Sequence, residues 1–222
     1  MDKISIIVPC FNEEDVVSMF YQETTKQLHR IPDIDYELLF INDGSKDHTA
    51  SVLKELAEKD SHCFYFTFSR NFGKEAAMFA GLEKATGDYV VIMDADLQHP
   101  PRLLPDMYHA CKCAGYDCAA GKRVDRTGEG RLRNFLSHSF YKVIQKLTKM
   151  DMDDGAGDFR MMSRQMVDAI LELKEYNRYM KGLFSFVGFD TKWIEFHNVE
   201  RAAGQTKWNF TSLFSYAFKG IF

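Results

Sequence analysis

Apolar, β-branched and aromatic residues gather in four short runs along the first half of the chain: Ile4–Val8, Glu37–Ile41, Cys63–Phe68 and Tyr89–Met93. Between them lie stretches with helical spacing of apolar positions, Glu14–His29, Lys46–Lys59 and Lys74–Ala85. Strand-like runs alternating with helices of this length predict βαβ units around a parallel sheet. The runs are nearly continuous rather than alternating, as expected for strands covered on both faces. Each ends in small or polar residues: PCFNE (9–13), NDGS (42–45), SRNFG (69–73) and DAD (94–96). Open α/β sheets bind ligands beyond the carboxyl ends of their strands, so one crevice is expected to receive all four clusters.

Beyond residue 123 the texture changes. Arg131–Lys149 reads as a basic amphipathic helix, with Phe135, Leu136, Phe140, Ile144 and Leu147 on its apolar side. GAGDFRMM (155–162) reads as a glycine turn leading into a short apolar run, Ser163–Leu173 as a helix and Lys192–Val199 as a strand. Thr206–Phe222 is an aromatic-rich segment. With no internal repeat or low-complexity linker, the expected division is one α/β domain over 1–205 and an aromatic juxtamembrane or interfacial helix over 206–222.

Composition narrows the classes. The 222 residues are 45% hydrophobic and 27% charged, ordinary for a globular protein. A net charge of −4 argues against a charge-driven nucleic-acid binder. Five scattered cysteines suggest reduced thiols rather than a disulfide framework. Cys111, Cys113 and Cys118 lack the C-x-x-C pairs of a zinc site. The start, MDKISIIVPCFNEE, turns acidic too soon for a signal peptide, and no apolar stretch is long enough to span a membrane. A Walker phosphate loop is absent. GEGRLR (128–133) and GAGDFR (155–160) both fail the third glycine of the dinucleotide fingerprint, which disfavours an oxidoreductase.

The sharpest chemistry lies in DADLQHPP (94–101). In an extended strand end, residues i and i+2 point the same way, so Asp94 and Asp96 can face one cation, with Gln98 adding a neutral oxygen. Mg²⁺ or Mn²⁺ takes one or two carboxylates together with substrate phosphates. The plainer alternative is that one aspartate caps the next helix while the other is solvated. Asp43, after the second run, can accept hydrogen bonds from a base or ribose. It can also be part of an Asp-Gly turn, with Ser45 or Asp47 capping the next helix.

In order along the chain stand IIVPCFNEE, FINDGSKDHT, SRNFGKEAA, DYVVIMDADLQHPP, GKR, GAGDFRMM and RAAGQTKW. Together they resemble the inverting family 2 glycosyltransferases. Within that family the nearest likenesses are the dolichol-phosphate mannose synthases and the bacterial polyprenyl-phosphate glucosyltransferases of the GtrB type. The resemblance runs from Ile4 to Trp208, and DADLQHPP and the R-x-x-G-x-[ST]-K-W pattern are its most specific parts. It implies a GT-A, Rossmann-like α/β fold with a mostly parallel central sheet flanked by helices. It also implies transfer of a hexose from a nucleotide sugar, UDP-glucose favoured, to a polyprenyl-phosphate lipid. UDP-N-acetylglucosamine and GDP-mannose also suit these motifs.

Carried over by position, the resemblance puts Pro9, Phe11 and Glu13 in the nucleotide pocket, with Phe11 where the family commonly has tyrosine. Asp43 would contact the base. Asp94, Asp96 and Gln98 would bind the diphosphate and its Mg²⁺ or Mn²⁺. Arg123, Arg201 and Lys207 would be cations near the phosphates. Asp158 falls where GtrB-type enzymes carry an acidic residue proposed as catalytic base, so Asp158 and Asp96 are the catalytic candidates, against a turn aspartate after Gly157. A phosphate-monoester acceptor has a second pKa near 6 and barely needs deprotonation, so with a lipid phosphate Asp158 is expected to orient the acceptor or a cation. With an alcohol acceptor it is the best candidate for a general base.

The basic helix suits an anionic membrane surface, and Arg131 and Arg133 are candidates to receive the acceptor phosphate. Simple packing of that helix on the core is the alternative. The implied partners are the nucleotide-sugar donor, the lipid acceptor, the cytoplasmic face of the cell membrane and further copies of the chain; nucleic acid is not among them. Family chains usually continue into transmembrane helices. Their absence from this sequence implies truncation or another mode of attachment. Two alternatives stay open: a family 2 transferase acting on a polysaccharide or other non-lipid acceptor, and a non-catalytic nucleotide-sugar binder.

Overall fold

The computed structural model describes residues 1–124, 156–173 and 179–197. The expectations for Arg131–Lys149 and Thr206–Phe222, and those for Arg131, Arg133, Arg201 and Lys207, lie outside the described residues.

The four apolar runs are strands β1 (Asp2–Cys10), β2 (Ile34–Asn42), β3 (Cys63–Thr67) and β4 (Tyr89–Ile92). The helices between them are α1 (Val17–Leu28), α2 (Thr49–Lys59) and α3 (Lys74–Lys84). They are followed by α4 (Leu104–Lys112), β5 (Cys118–Arg123), β6 (Ala156–Ser163), α5 (Arg164–Glu172), α6 (Met180–Phe186) and β7 (Thr191–Phe196). Helices α1 and α2 begin a few residues later than the apolar spacing predicts, because residues 11–15 and 43–48 are tied to each other. Asn12 N–H donates to Ser45 Oγ at 2.9 Å, Lys46 N–H to Asn12 Oδ1 at 2.8 Å, and Glu13 N–H to Thr49 Oγ1 at 2.8 Å.

Among the described residues the strands form one seven-stranded sheet in the order β3-β2-β1-β4-β6-β5-β7. β1 pairs in parallel with β2 and β4, β2 with β3, and β5 with β7. β6 is antiparallel to both its neighbours, β4 and β5. It is the segment that reads in sequence as a glycine turn and a short apolar run; Gly157 lies within the strand.

Strand alternation then divides the core. Ile4, Ile6, Val8, Leu38 and Phe40 face α1, α2 and α4 and pack with Phe20, Leu53 and Met107. Ile7, Leu39, Ile41, Val90 and Ile92 face α3, α5 and α6 and pack with Met78, Leu82, Ile170 and Met180. Both faces are covered, which is why these strands carry almost no polar positions. The polar positions buried in them are Ser5, Glu37 and Asn42, of which Glu37 carries a charge and is 4% exposed. It is held by Lys3 Nζ at 2.8 Å, Ser5 Oγ at 2.6 Å and Thr86 N–H at 2.7 Å, so its buried charge is paired and hydrogen-bonded.

Candidate active site

The parallel strands bring residues 9–13, 42–45, 69–73 and 94–96 to one edge of the sheet, their shared carboxyl end. β6 enters from that same edge because it runs opposite to β4. Its register pairs Ile92 with Arg160 and Val91 with Met161; continued past Ile92 it sets Asp158 opposite Asp94. Topology alone therefore brings together two acidic residues far apart in sequence. Arg123, at the end of β5, reaches the same edge, since Lys122 pairs with Ala156.

Beyond β4 the chain folds back on itself. Leu97 takes a left-handed conformation with φ of 61°, which costs a non-glycine residue about 1–2 kcal/mol. That turn lets Asp96 Oδ1 accept from Gln98 N–H at 3.0 Å and His99 Nδ1 accept from Asp94 N–H at 3.0 Å. An accepting Nδ1 leaves the ring proton on Nε2, which lies 3.8 Å from Asp94 Oδ2. His99 is buried, stacks on Phe159 at 5.0 Å, and its pKa is lowered chiefly by loss of solvent. It is a neutral buttress under Asp94.

Lys74 completes the centre. Its ammonium lies 2.7 Å from Asp94 Oδ1, 2.9 Å from Asp94 Oδ2 and 2.8 Å from Asp158 Oδ2. Burial is the largest influence on both aspartates and raises their pKa, but Lys74 together with the nearby His99 outweighs it and holds both below the usual carboxylate range; for Asp158 the Lys181 charge adds to this. Asp158 Oδ1 is buried with no hydrogen-bond partner among the described residues.

Asp43 is buried, and both its carboxylate oxygens are engaged: Oδ1 accepts from Phe72 N–H at 2.7 Å and Oδ2 from Gly73 N–H at 2.9 Å. Its pKa is raised by burial despite these bonds. Asp43 thus fixes the segment that delivers Lys74. The N-cap of α2 is His48, with no side-chain cap, so neither Ser45 nor Asp47 takes the capping position expected of them; Asp47, one residue earlier, accepts from Thr49 N–H at 3.1 Å. Pro9, Phe11 and Glu13 follow along the β1 end of the same edge, each partly exposed.

Sequence reasoning missed Lys74 and His99 as site residues. A signal for Lys74 exists: a cation opening a helix opposes the helix macrodipole, and therefore calls for acidic partners from elsewhere.

Among the described residues no group of three His, Cys, Asp or Glu side chains is placed to hold a metal by itself. By chemistry, the expected donors Asp94, Asp96 and Gln98 are two hard carboxylates and one neutral amide oxygen. That donor set fits Mg²⁺ or Mn²⁺ when phosphate oxygens complete the shell. Among the described residues no helix is long and apolar enough to cross a membrane.

The sequence model described as glycosyl transferase family 2 matches residues 5–171. CsbB of Bacillus subtilis (strain 168), which carries a glycosyltransferase name, is 47% identical over 98% of this chain and 65% of its own length. The prophage bactoprenol glucosyl transferase homolog of Escherichia coli (strain K12) is 42% identical over 99% of this chain and 71% of its own length. The bactoprenol glucosyl transferase of Shigella phage SfV gives the same figures. The chain therefore spans 65–71% of the length of these relatives.

Among solved structures, a mannosyltransferase from Pyrobaculum calidifontis in complex with GDP-Man and Mn²⁺ superposes with a TM-score of 0.63 at 18% identity, covering 92% of this chain and 58% of that one. Glucosyl-3-phosphoglycerate synthase from Mycobacterium tuberculosis gives 0.60 at 18% identity, over 98% of this chain and 76% of that one. At such identities the likeness speaks for the fold.

Proposed function

The chain belongs to glycosyl transferase family 2 and has its GT-A fold, and on that premise we propose that it is the catalytic unit of an inverting transferase. It moves a hexose, glucose favoured, from a uridine diphosphate sugar to a polyprenyl phosphate at the cytoplasmic face of the membrane. The relatives whose names specify bactoprenol glucosyl transfer support the lipid acceptor and the glucose.

In this reading Pro9, Phe11, Glu13 and Asp43 serve the nucleoside end of the donor. Asp94 and Asp96, with Gln98, hold a divalent ion against the diphosphate; when bound, it acts as a Lewis acid on the leaving phosphate. Arg123, Arg201 and Lys207 add positive charge near the phosphates. Arg131 and Arg133 receive the acceptor phosphate.

The observation that carries the acceptor class is the Lys74–Asp158 ion pair at 2.8 Å. A carboxylate held below its usual pKa is a weak proton acceptor, and an alcohol acceptor needs a base. A phosphate monoester, largely dianionic at neutral pH, does not. Asp158 accordingly orients Lys74 and the acceptor rather than abstracting a proton.

The test is transfer of labelled glucose from UDP-glucose to detergent-dispersed polyprenyl phosphate with Mg²⁺ or Mn²⁺. Label in the organic phase, lost on chelation, is the expected result. Label appearing only in soluble glycosides of added alcohols or saccharides overturns the lipid acceptor.

A further inference from the structure

Lys74 raises a question that catalysis alone does not answer. Its ammonium contacts both oxygens of Asp94, the carboxylate expected to face the metal, and one oxygen of Asp158. A divalent ion and an ammonium cannot share Asp94 at such distances without strong repulsion. One must give way.

We propose that Lys74 sets the order of loading: it is the resident counter-ion of Asp94, and only a divalent cation arriving with a diphosphate displaces it. The inference rests on the reading of Asp94 and Asp96 as the metal-diphosphate carboxylates. Three features support it.

The backbone of Lys74 is fixed, while its side chain is held only through the ammonium at its tip. Asp43 pins Phe72 and Gly73 just ahead of it, whereas the flexible stem carries an ammonium on a side chain that is one-third exposed. The displaced ammonium also has a place to go. Asp158 Oδ1 is buried and unpartnered among the described residues, beside the Oδ2 that already holds Lys74, so an ammonium that leaves the two oxygens of Asp94 recovers part of the loss at the second oxygen of Asp158. Finally, the charge balance favours joint loading. With Lys74 in place the site is less negative and disfavours a bare divalent ion. A diphosphate brings the negative charge that compensates for two cations side by side.

In this arrangement Lys74 is a positioning residue. It keeps metal off an empty site and, once displaced, stands between Asp158 and the incoming phosphate groups.

The test titrates Mn²⁺ alone into the protein and reads free Mn²⁺ by electron paramagnetic resonance, then repeats the titration with UDP present. Wild type should bind Mn²⁺ weakly alone and at least tenfold more tightly with UDP. Lys74→Met should bind Mn²⁺ alone at least tenfold more tightly than wild type, with most of the UDP dependence gone. Asp94→Asn added to Lys74→Met should abolish that gain, which locates the ion, and Lys74→Arg should retain the wild-type pattern. Lys74→Gln serves in place of Lys74→Met if thermal melting shows that variant misfolded.

Equal Mn²⁺ affinity in wild type and the neutral variants overturns the proposal, whatever the nucleotide does. Failure of wild type to bind any nucleotide with Mn²⁺ overturns instead the donor reading beneath it.

Discussion

Gly44 closes the turn after β2 with φ of +65°, and a Cβ there would lie 2.4 Å from the Arg70 carbonyl carbon, 2.7 Å from Asn71 N and 2.8 Å from Arg70 Cα. All three are backbone atoms, so the contact is relieved only if residues 70–71 move. An L residue in the left-handed region costs about 1–2 kcal/mol. Forcing a methyl group into a closed contact adds about 1–3 kcal/mol. Gly44→Ala should therefore destabilise the domain by about 2–5 kcal/mol, or about 4–20 °C in Tm for a chain of this size. Where the native conformation suits alanine, the same change stabilises by about 0.4–1 kcal/mol, so even the sign is informative. Gly115 supplies the control: its φ is +80°, but nothing lies within 4 Å of its Cβ position. Gly115→Ala should lose only the conformational part, about 1–2 kcal/mol. The assay is urea unfolding of both variants, comparing midpoints at constant m. Because residues 70–71 lead into the Phe72 and Gly73 amides held by Asp43, Gly44→Ala should also weaken donor binding. A Gly44→Ala midpoint no lower than that of Gly115→Ala would refute the reasoning.

Other consequences follow from the same geometry. Asp96→Asn should weaken metal-dependent nucleotide binding about tenfold or more while leaving the thermal melt near wild type; unchanged affinity and metal requirement would remove Asp96 from the site. Asp158→Asn should keep donor binding close to wild type and reduce transfer sharply, and full activity in a transfer assay would reject its role. Acid should destabilise the fold. The folded pKa of Glu37 lies below its unfolded value because Lys3, Ser5 and Thr86 outweigh the upward pull of burial, and Asp60 and Asp158 are lowered likewise. Their contribution is present above the unfolded carboxylate pKa of about 4 and drains away as pH falls below it. Asp43, raised by burial, works in the opposite sense but alone among these. Urea midpoints should thus fall as pH drops below about 4. Glu37→Gln should make that drop shallower, and a wild-type slope in the variant would exclude Glu37 as a contributor.

β1, β2 and β4 were legible because each is a continuous apolar run ending in polar residues, the pattern of a doubly covered strand, whereas β3 was legible as an aromatic run although it lies at the sheet edge with Phe64 and Tyr65 exposed. β6 was not. Its Gly-Ala-Gly opening mimics a turn, and what makes it a strand is non-local pairing with Tyr89–Ile92 on one side and Cys118–Ala120 on the other. β5 hid for a related reason: in CAAGKR small residues replace β-branched ones. The aspartates of DADLQHPP were found from their spacing, and they do lie at the carboxyl end of β4. Their partner was not found, because the link between Lys74, Asp94 and Asp158 depends on strand order, which local pattern does not encode. Asp43 was read as a ligand-binding group. The part it plays in holding the Phe72 and Gly73 amides depends on the approach of a loop about thirty residues further on.

The most direct test of the central claim is calorimetric titration of UDP-glucose into the protein with Mn²⁺, repeated with chelator and with GDP-mannose. The account predicts saturable binding of the uridine donor that disappears when the metal is removed, with little binding of the guanosine donor. Binding of equal strength in chelator, or none at all to a folded sample, would contradict it.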